Sequence, residues 1–180
     1  PMSTPAPTKV VTGKVRLSYV NLFEPRAAMA GQDPKYSVCV LIPKSDKATV
    51  DKINAAIEAA KEAGKAQWGG KVPPGLKMPL RDGDVERDSA EYKGHWFINA
   101  NSKQRPGVVD ASLNPVLDPN EVYSGAFGRV SLNFYPFNQS GNRGVGAGLQ
   151  NVQKLADGDP LSGRSRAEDD FTAVDDDFMN

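Results

Sequence analysis

Residues 123–149 read YSGAFGRVSLNFYPFNQSGNRGVGAGL, and this stretch decides the fold. Val130, Leu132 and Phe134 alternate with Arg129, Ser131, Asn133 and Tyr135, the period of two that places successive side chains on opposite faces of a strand. A turn over 138–142, NQSGN, leads into GVGAGL at 144–149, and the extended pattern continues through Val152 and Leu155. A long strand, a tight turn and a glycine-rich return strand predict an antiparallel hairpin whose second strand bends sharply and lets a neighbour approach closely.

The same vocabulary recurs upstream. From Lys9, the residues Val11, Gly13, Val15, Leu17 and Tyr19 fall on one face and Lys14, Arg16 and Ser18 on the other, with Gly13 at an expected bend or bulge. YSVCVLI at 36–42 is a second, nearly all-apolar strand closed by Pro43, and the intervening FEPRAAMAGQDPK at 23–35 fits neither period. Ser45 or Asp46 can cap one helix running to about Gly64, with Val50, Ile53, Ala56, Ile57, Ala60 and Ala63 as a narrow buried face. QWGGKVPPGLKMPLRDGDVERD at 67–88 reads as a long loop holding a short hairpin. Tyr92 to Ala100 is a third strand, and Val108-Val109 and Val116-Leu117 are short extended pieces between turns. Many short strands around one helix predict a mainly β chain folded as a small closed antiparallel barrel. The expected boundaries are a flexible Pro-rich leader over 1–8, one domain over 9–156 and a tail over 157–180 that cannot sustain a core. Pro1 ahead of Met2 reads as a cloning remnant, with Met2 the expected natural start.

The charge is partitioned along the chain. The 180 residues hold 22 Lys plus Arg and 22 Asp plus Glu. Residues 157–180 carry eight Asp or Glu against Arg164 and Arg166, a net −6, which leaves 20 basic and 14 acidic side chains on residues 1–156, a net +6. A cationic body with an anionic tail reads as a polyanion-binding protein that carries its own competitor, or as a body kept in solution by a hydrated tail. No run of about 18 apolar residues offers a membrane span, and no charged-then-apolar start offers a secretion signal. The single Cys39 excludes a disulfide scaffold and suits a reducing cytoplasm.

Catalysis has little to draw on. His95 sits in an aromatic strand segment beside Trp96, the place of a structural histidine, and Cys39 lies within an apolar strand where a thiol is inert. No serine stands in a GxSxG context, and GVGAGLQNVQ lacks the spacing and the following helix of a dinucleotide fingerprint. DGDVERD at 82–88 superficially matches a calcium loop, but its glycine falls second instead of sixth and no glutamate stands twelfth. No enzyme activity, metal or cofactor is expected.

Aromatic and basic residues instead interleave along the strands: Lys14, Arg16 and Tyr19; Lys35 and Tyr36; Tyr92, Lys93 and Trp96; Arg129, Tyr135 and Phe137. Lys103, Arg105 and Arg143 complete the candidate set. Lys and Arg neutralise phosphates, and flat rings give bases of any sequence a surface to stack on. The set therefore points to single-stranded nucleic acid, without separating DNA from RNA. Each ring taken singly could equally cap the barrel rim or fill a minor core.

These features together resemble the single-stranded DNA-binding proteins of tailed bacteriophages. The residues that carry the resemblance are KYSVCVLIPKSDK leading into the Ala-rich helix, PLRDGD, and VYSGAFGRVSLNFYPF with NRGVGAGLQNVQKLADGDPL. The end of the chain, DDFTAVDDDFMN, resembles the acidic ends of such proteins, although Phe178 is followed by Met179 and Asn180 where an aromatic residue closes the family pattern. The resemblance implies a five-stranded OB-type barrel with a disordered acidic tail, and a non-catalytic protein that coats and protects single strands in DNA replication and recombination. It also implies that Asp169, Asp170, Phe171, Asp175, Asp176, Asp177 and Phe178 recruit phage or host replication proteins. A phage capsid or tail barrel protein is the alternative reading, and a nucleotide-processing enzyme the last.

Overall fold

The computed structural model describes residues 7–27 and 29–161. Its strands are β1 (Lys9–Val11), β2 (Val15–Arg26), β3 (Lys35–Pro43), β4 (Arg81–Asp82), β5 (His95–Ser102), β6 (Gly107–Val109), β7 (Phe127–Gln139) and β8 (Asn142–Ala156). Two α-helices accompany them, α1 (Lys47–Gly64) and the single turn α2 (Gly83–Glu86). The pairings β7–β2, β2–β3, β3–β5, β5–β8 and β8–β7 close a ring, so five strands make the expected barrel. β1 lies on β7, β6 on β8 and β4 on β5. Four seams of the ring are antiparallel and the fifth, β5–β8, is parallel. An odd number of strands cannot alternate direction all the way round a ring, so one seam must run parallel. That seam is narrow: β5 and β8 meet only at Asn101 and Gly148, while Lys77 bridges to Gly144 and Arg81–Asp82 pairs with Trp96 and Phe97. The 67–88 segment therefore holds no hairpin of its own; it supplies an edge to the start of β5.

The long hairpin forms as its alternation predicts, with Val130, Leu132 and Phe134 buried and Arg129 and Tyr135 exposed. The N-terminal strand is more broken than its pattern. Val10 and Thr12 are buried and Val11 is exposed, whereas Val15 and Leu17 are buried, so the inward phase changes across Gly13. There the Gly13 amide donates to Thr49 Oγ1 of α1 at 2.9 Å. A second phase change follows at Tyr19. Ser18 faces Cys39 and Asn21 faces Ser37, which leaves one extra residue on β2, and Tyr19 takes up the excess with φ +47°. Tyr19 is thereby turned out of the core face on which strict alternation places it, and is 68% exposed. A further register shift precedes Arg26, opposite Lys35. These bulges scramble the period over FEPR, which belongs to β2.

Asp46 caps α1 as expected, accepting from the Thr49 amide at 3.2 Å. Ile53, Ala56, Ile57 and Ala60 are buried, Val50 is half-buried, and Ala63 is exposed, correcting its place on the buried face. Two cores result. The larger fills the barrel beneath α1; the smaller, Cys39, Leu41, Tyr92 and Phe97, lies on the outer face of β3 and β5. Leu161 packs against the smaller one.

The described residues are held beyond both expected domain boundaries. The Thr8 carbonyl accepts from the Phe134 amide at 2.9 Å, and residues 157–161 dock as a strap instead of beginning a disordered tail. Arg16 Nη2 donates to the Asp159 carbonyl at 2.6 Å, the Gly158 amide donates to Tyr123 Oη at 3.2 Å, and the Leu161 amide donates to the Ser124 carbonyl at 2.9 Å. Gly125, at φ +116°, admits this strap, because a Cβ there would collide with the Asp159 carbonyl.

Candidate nucleic-acid interface

A row of Cα partners crosses the whole barrel: Asn21 beside Ser37, Ser37 beside Asn101, Asn101 beside Gly148, Gly148 beside Asn133, and Asn133 beside Lys9. None of the six is buried, whereas Leu22, Val38, Ala100, Leu149, Leu132 and Val10, each next in sequence, all are. The pleat therefore turns these residues outward at the same height, producing a belt of Asn, Ser and Lys side chains interrupted on β8 by Gly148. Asn21 Nδ2 reaches Ser37 Oγ at 3.3 Å along it.

Two clefts open on the belt and share Asn21. One, of about 570 Å³, is bordered by Arg26, Asp33, Lys35, Ser37 and Lys103. The other, of about 520 Å³, is bordered by Val20, Phe23, Glu24, Arg105 and Pro119. The Arg105 guanidinium stands 5.8 Å from the centroid of the Phe23 ring. Farther round, Tyr135 packs on Gly146 and Phe137 on Gly144: a Cβ would stand 2.6 Å from Tyr135 Cζ at the first and 2.8 Å from Phe137 Cζ at the second. The glycines of β8 are thus a floor for two outward rings. Arg143, exposed, lies opposite Asn138 at the tip of the same hairpin.

Of the residues singled out from sequence, Lys35, Lys103, Arg105, Tyr19, Tyr135, Phe137 and Arg143 lie on or beside this surface. Others have different work. Tyr92 is 4% exposed and meets Phe97 edge-on at 5.2 Å, so it offers no face to a base. Burial raises its hydroxyl to about 12 and raises the neighbouring Cys39 thiol to about 11. Arg16 holds the strap, and Lys14 stands 4.7 Å over the Phe127 ring. Trp96 is half-buried under Lys44, at 4.9 Å, and Tyr36 is half-buried on the Val38 side of β3. Arg129 Nε donates to the Thr12 carbonyl at 2.8 Å, and Lys93 is exposed beside the Gly94 turn. The acidic and aromatic residues of the tail, Asp169 to Phe178, lie outside the described residues.

Sequence reasoning missed Asn21, Phe23, Arg26, Ser37 and Asn101. Arg26 and Phe23 stand in the segment whose period the bulges erase, and the three small polar residues carry no signal until the register aligns them. The acidic run at 82–88 is also explained. Lys44 Nζ binds Asp82 at 2.6 Å and Asp84 at 2.8 Å, and Arg81 binds Glu86 at 2.6 Å. Asp84 is held below the usual carboxylate range chiefly by Lys44, and Glu86 chiefly by Arg81. Asp82, Asp84 and Glu86 are thus partnered by cations of the chain itself, and no metal-holding cluster occurs among the described residues. No helix among them is long and apolar enough to cross a membrane.

The family model described as Enterobacter phage Enc34, ssDNA-binding protein, matches residues 8–179. Protein p50 of the Acyrthosiphon pisum secondary endosymbiont phage 1 is 32% identical over 165 residues, 86% of this chain and 87% of the relative. The structure of the single-stranded DNA-binding protein from bacteriophage Enc34 in complex with ssDNA is similar at a TM-score of 0.77 and 29% identity, covering 86% of this chain and 90% of that one. The fold is also that of gp2.5, a single-stranded DNA-binding protein encoded by bacteriophage T7, at a TM-score of 0.61 and 18% identity over 92% and 98% of the two chains.

Proposed function

This chain belongs to the Enc34 single-stranded DNA-binding protein family, and from that premise we propose that it coats and protects single-stranded DNA during phage replication and recombination in the host cytoplasm. Its work is binding without turnover. The observation that carries the reading is the polar belt, joined at Asn21 to a cleft with three cations and flanked by outward rings. A strand laid along the belt meets hydrogen-bonding side chains on four of the five barrel strands, phosphate partners in Arg26, Lys35 and Lys103, and stacking surfaces in Tyr19, Tyr135 and Phe137. These requirements are met without reading any base edge, which suits a protein that must bind whatever sequence is exposed.

The acidic tail competes with DNA for this surface and, once displaced, recruits replication or recombination enzymes through Phe171, Asp175–Asp177 and Phe178. Residues 162–180 carry six Asp or Glu against two Arg. Their root, Leu161, packs against the cluster of Cys39, Leu41, Tyr92 and Phe97, whose Cys39 and Leu41 share the outer face of β3 with Ser37 and Lys35. A segment tethered there stays at high effective concentration over the basic cleft.

Titration of a fluorescently labelled oligo-dT tests the reading. Binding should saturate, and with about five phosphates neutralised log affinity should fall with log salt at a slope near −3.5. A slope near zero, or no binding at low salt, overturns it.

A further inference from the structure

We infer that the two clefts beside Asn21 divide one nucleotide between them, the phosphate in the Lys35/Lys103 cleft and its base against Phe23; the inference rests on the single-strand-binding reading above. The clefts differ in chemistry. The first sets Arg26, Lys35 and Lys103 against Asp33, a local charge of +2, and its border holds no aromatic residue. The second sets Arg105 against Glu24, a local charge of zero, and its border includes the half-buried Phe23 ring with Val20 and Pro119. A phosphate is drawn to the first, whose cations lack carboxylate partners among the described residues, and is repelled from the second by Glu24. A base, uncharged and flat, suits the second, where the ring supplies a stacking face and a polar edge lies at Asn21.

The two clefts touch at one side chain, as the parts of one nucleotide require. Asn21 forms the common wall, its Nδ2 donating to the Tyr19 carbonyl and Ser37 Oγ, both at 3.3 Å, so a sugar can cross a fixed side chain with its phosphate on one side and its base on the other. Arg105 already covers the Phe23 ring at 5.8 Å. A base entering there takes the place of the guanidinium, whose planar face then stacks on the base from the other side.

The test compares a labelled oligo-dT with an abasic strand of the same length, by anisotropy at one low salt concentration. Phe23→Leu keeps an apolar plug toward the core and removes the ring. It should weaken oligo-dT binding at least about fivefold and leave abasic binding within about twofold. Lys103→Gln should weaken both strands equally and reduce the salt slope by about 0.7. Phe23→Trp supplies a second readout that does not depend on the stability of the leucine variant: its added fluorescence should be quenched by oligo-dT and not by the abasic strand. Equal losses on both strands for Phe23→Leu, or quenching absent with oligo-dT, overturn the inference while leaving the function intact. Wild-type protein that binds neither strand overturns the function itself.

Discussion

The Tyr135 ring packs on the backbone of Gly146, close enough that a methyl group on that glycine would stand 2.6 Å from Cζ. The pair faces away from the barrel core, since Phe134 and Val145 point inward from the neighbouring positions. Tyr135 is 40% exposed, so the glycine fixes the height of a ring that solvent, or a base, can reach.

Tyr135→Ala should therefore cost about 1–3 kcal/mol of single-strand affinity while leaving the melting temperature nearly unchanged. Gly146→Val should act in the same direction by lifting the ring, and the double variant should bind no worse than the poorer single one, because both changes remove one surface. Additive losses would show that Gly146 acts elsewhere.

Tyr19 predicts opposite signs for stability and affinity. A non-glycine residue at φ +47° carries backbone strain of roughly 1 kcal/mol, which glycine relieves. Tyr19→Gly should keep or raise stability in a urea melt and weaken oligo-dT binding by about 1–3 kcal/mol. Unchanged affinity would remove Tyr19 from the interface.

The strap moves the place where the tail should be cut. Truncation after Leu161 should leave the melting temperature unchanged and tighten oligo-dT binding at low salt, with the gain shrinking as salt rises. Truncation after Gly158 also removes the Asp159 carbonyl from Arg16 and Leu161 from the smaller core, and should cost roughly 1–2 kcal/mol of stability. Equal affinity for full-length and Leu161-truncated protein at low salt would reduce the tail to a tether.

Alkaline conditions should destabilise the smaller core. Burial raises Cys39 from 9.0 to about 11 and Tyr92 from 10.0 to about 12, so the fold favours both neutral forms. The unfolded chain releases these protons first, and the stabilisation, complete below pH 9, is lost progressively between pH 9 and 12. Cys39→Ala should flatten the pH 9–11 part of a stability-against-pH curve. An unaltered slope would exclude the thiol as its source.

Period and composition alone determined much of this protein. The 127–156 hairpin, the strand closed by Pro43 and the helix capped by Asp46 each follow from residues adjacent in the chain, because pleat, helical repeat and cap are local geometry. The family was legible for a related reason: its signature blocks are contiguous. Tertiary structure decided what depends on register. One extra residue at Tyr19 reverses the faces of β2, turning that ring off the Val15 and Leu17 face and bringing Asn21 onto the belt. Burial cannot be read from residue type either. Trp68, a ring as suited to stacking as any, is 6% exposed with its indole N–H donated to the Phe137 carbonyl, and Tyr92 seals the smaller core. Asn21, Ser37, Asn101 and Asn133 lie far apart in sequence, and only the closing of the ring sets them side by side.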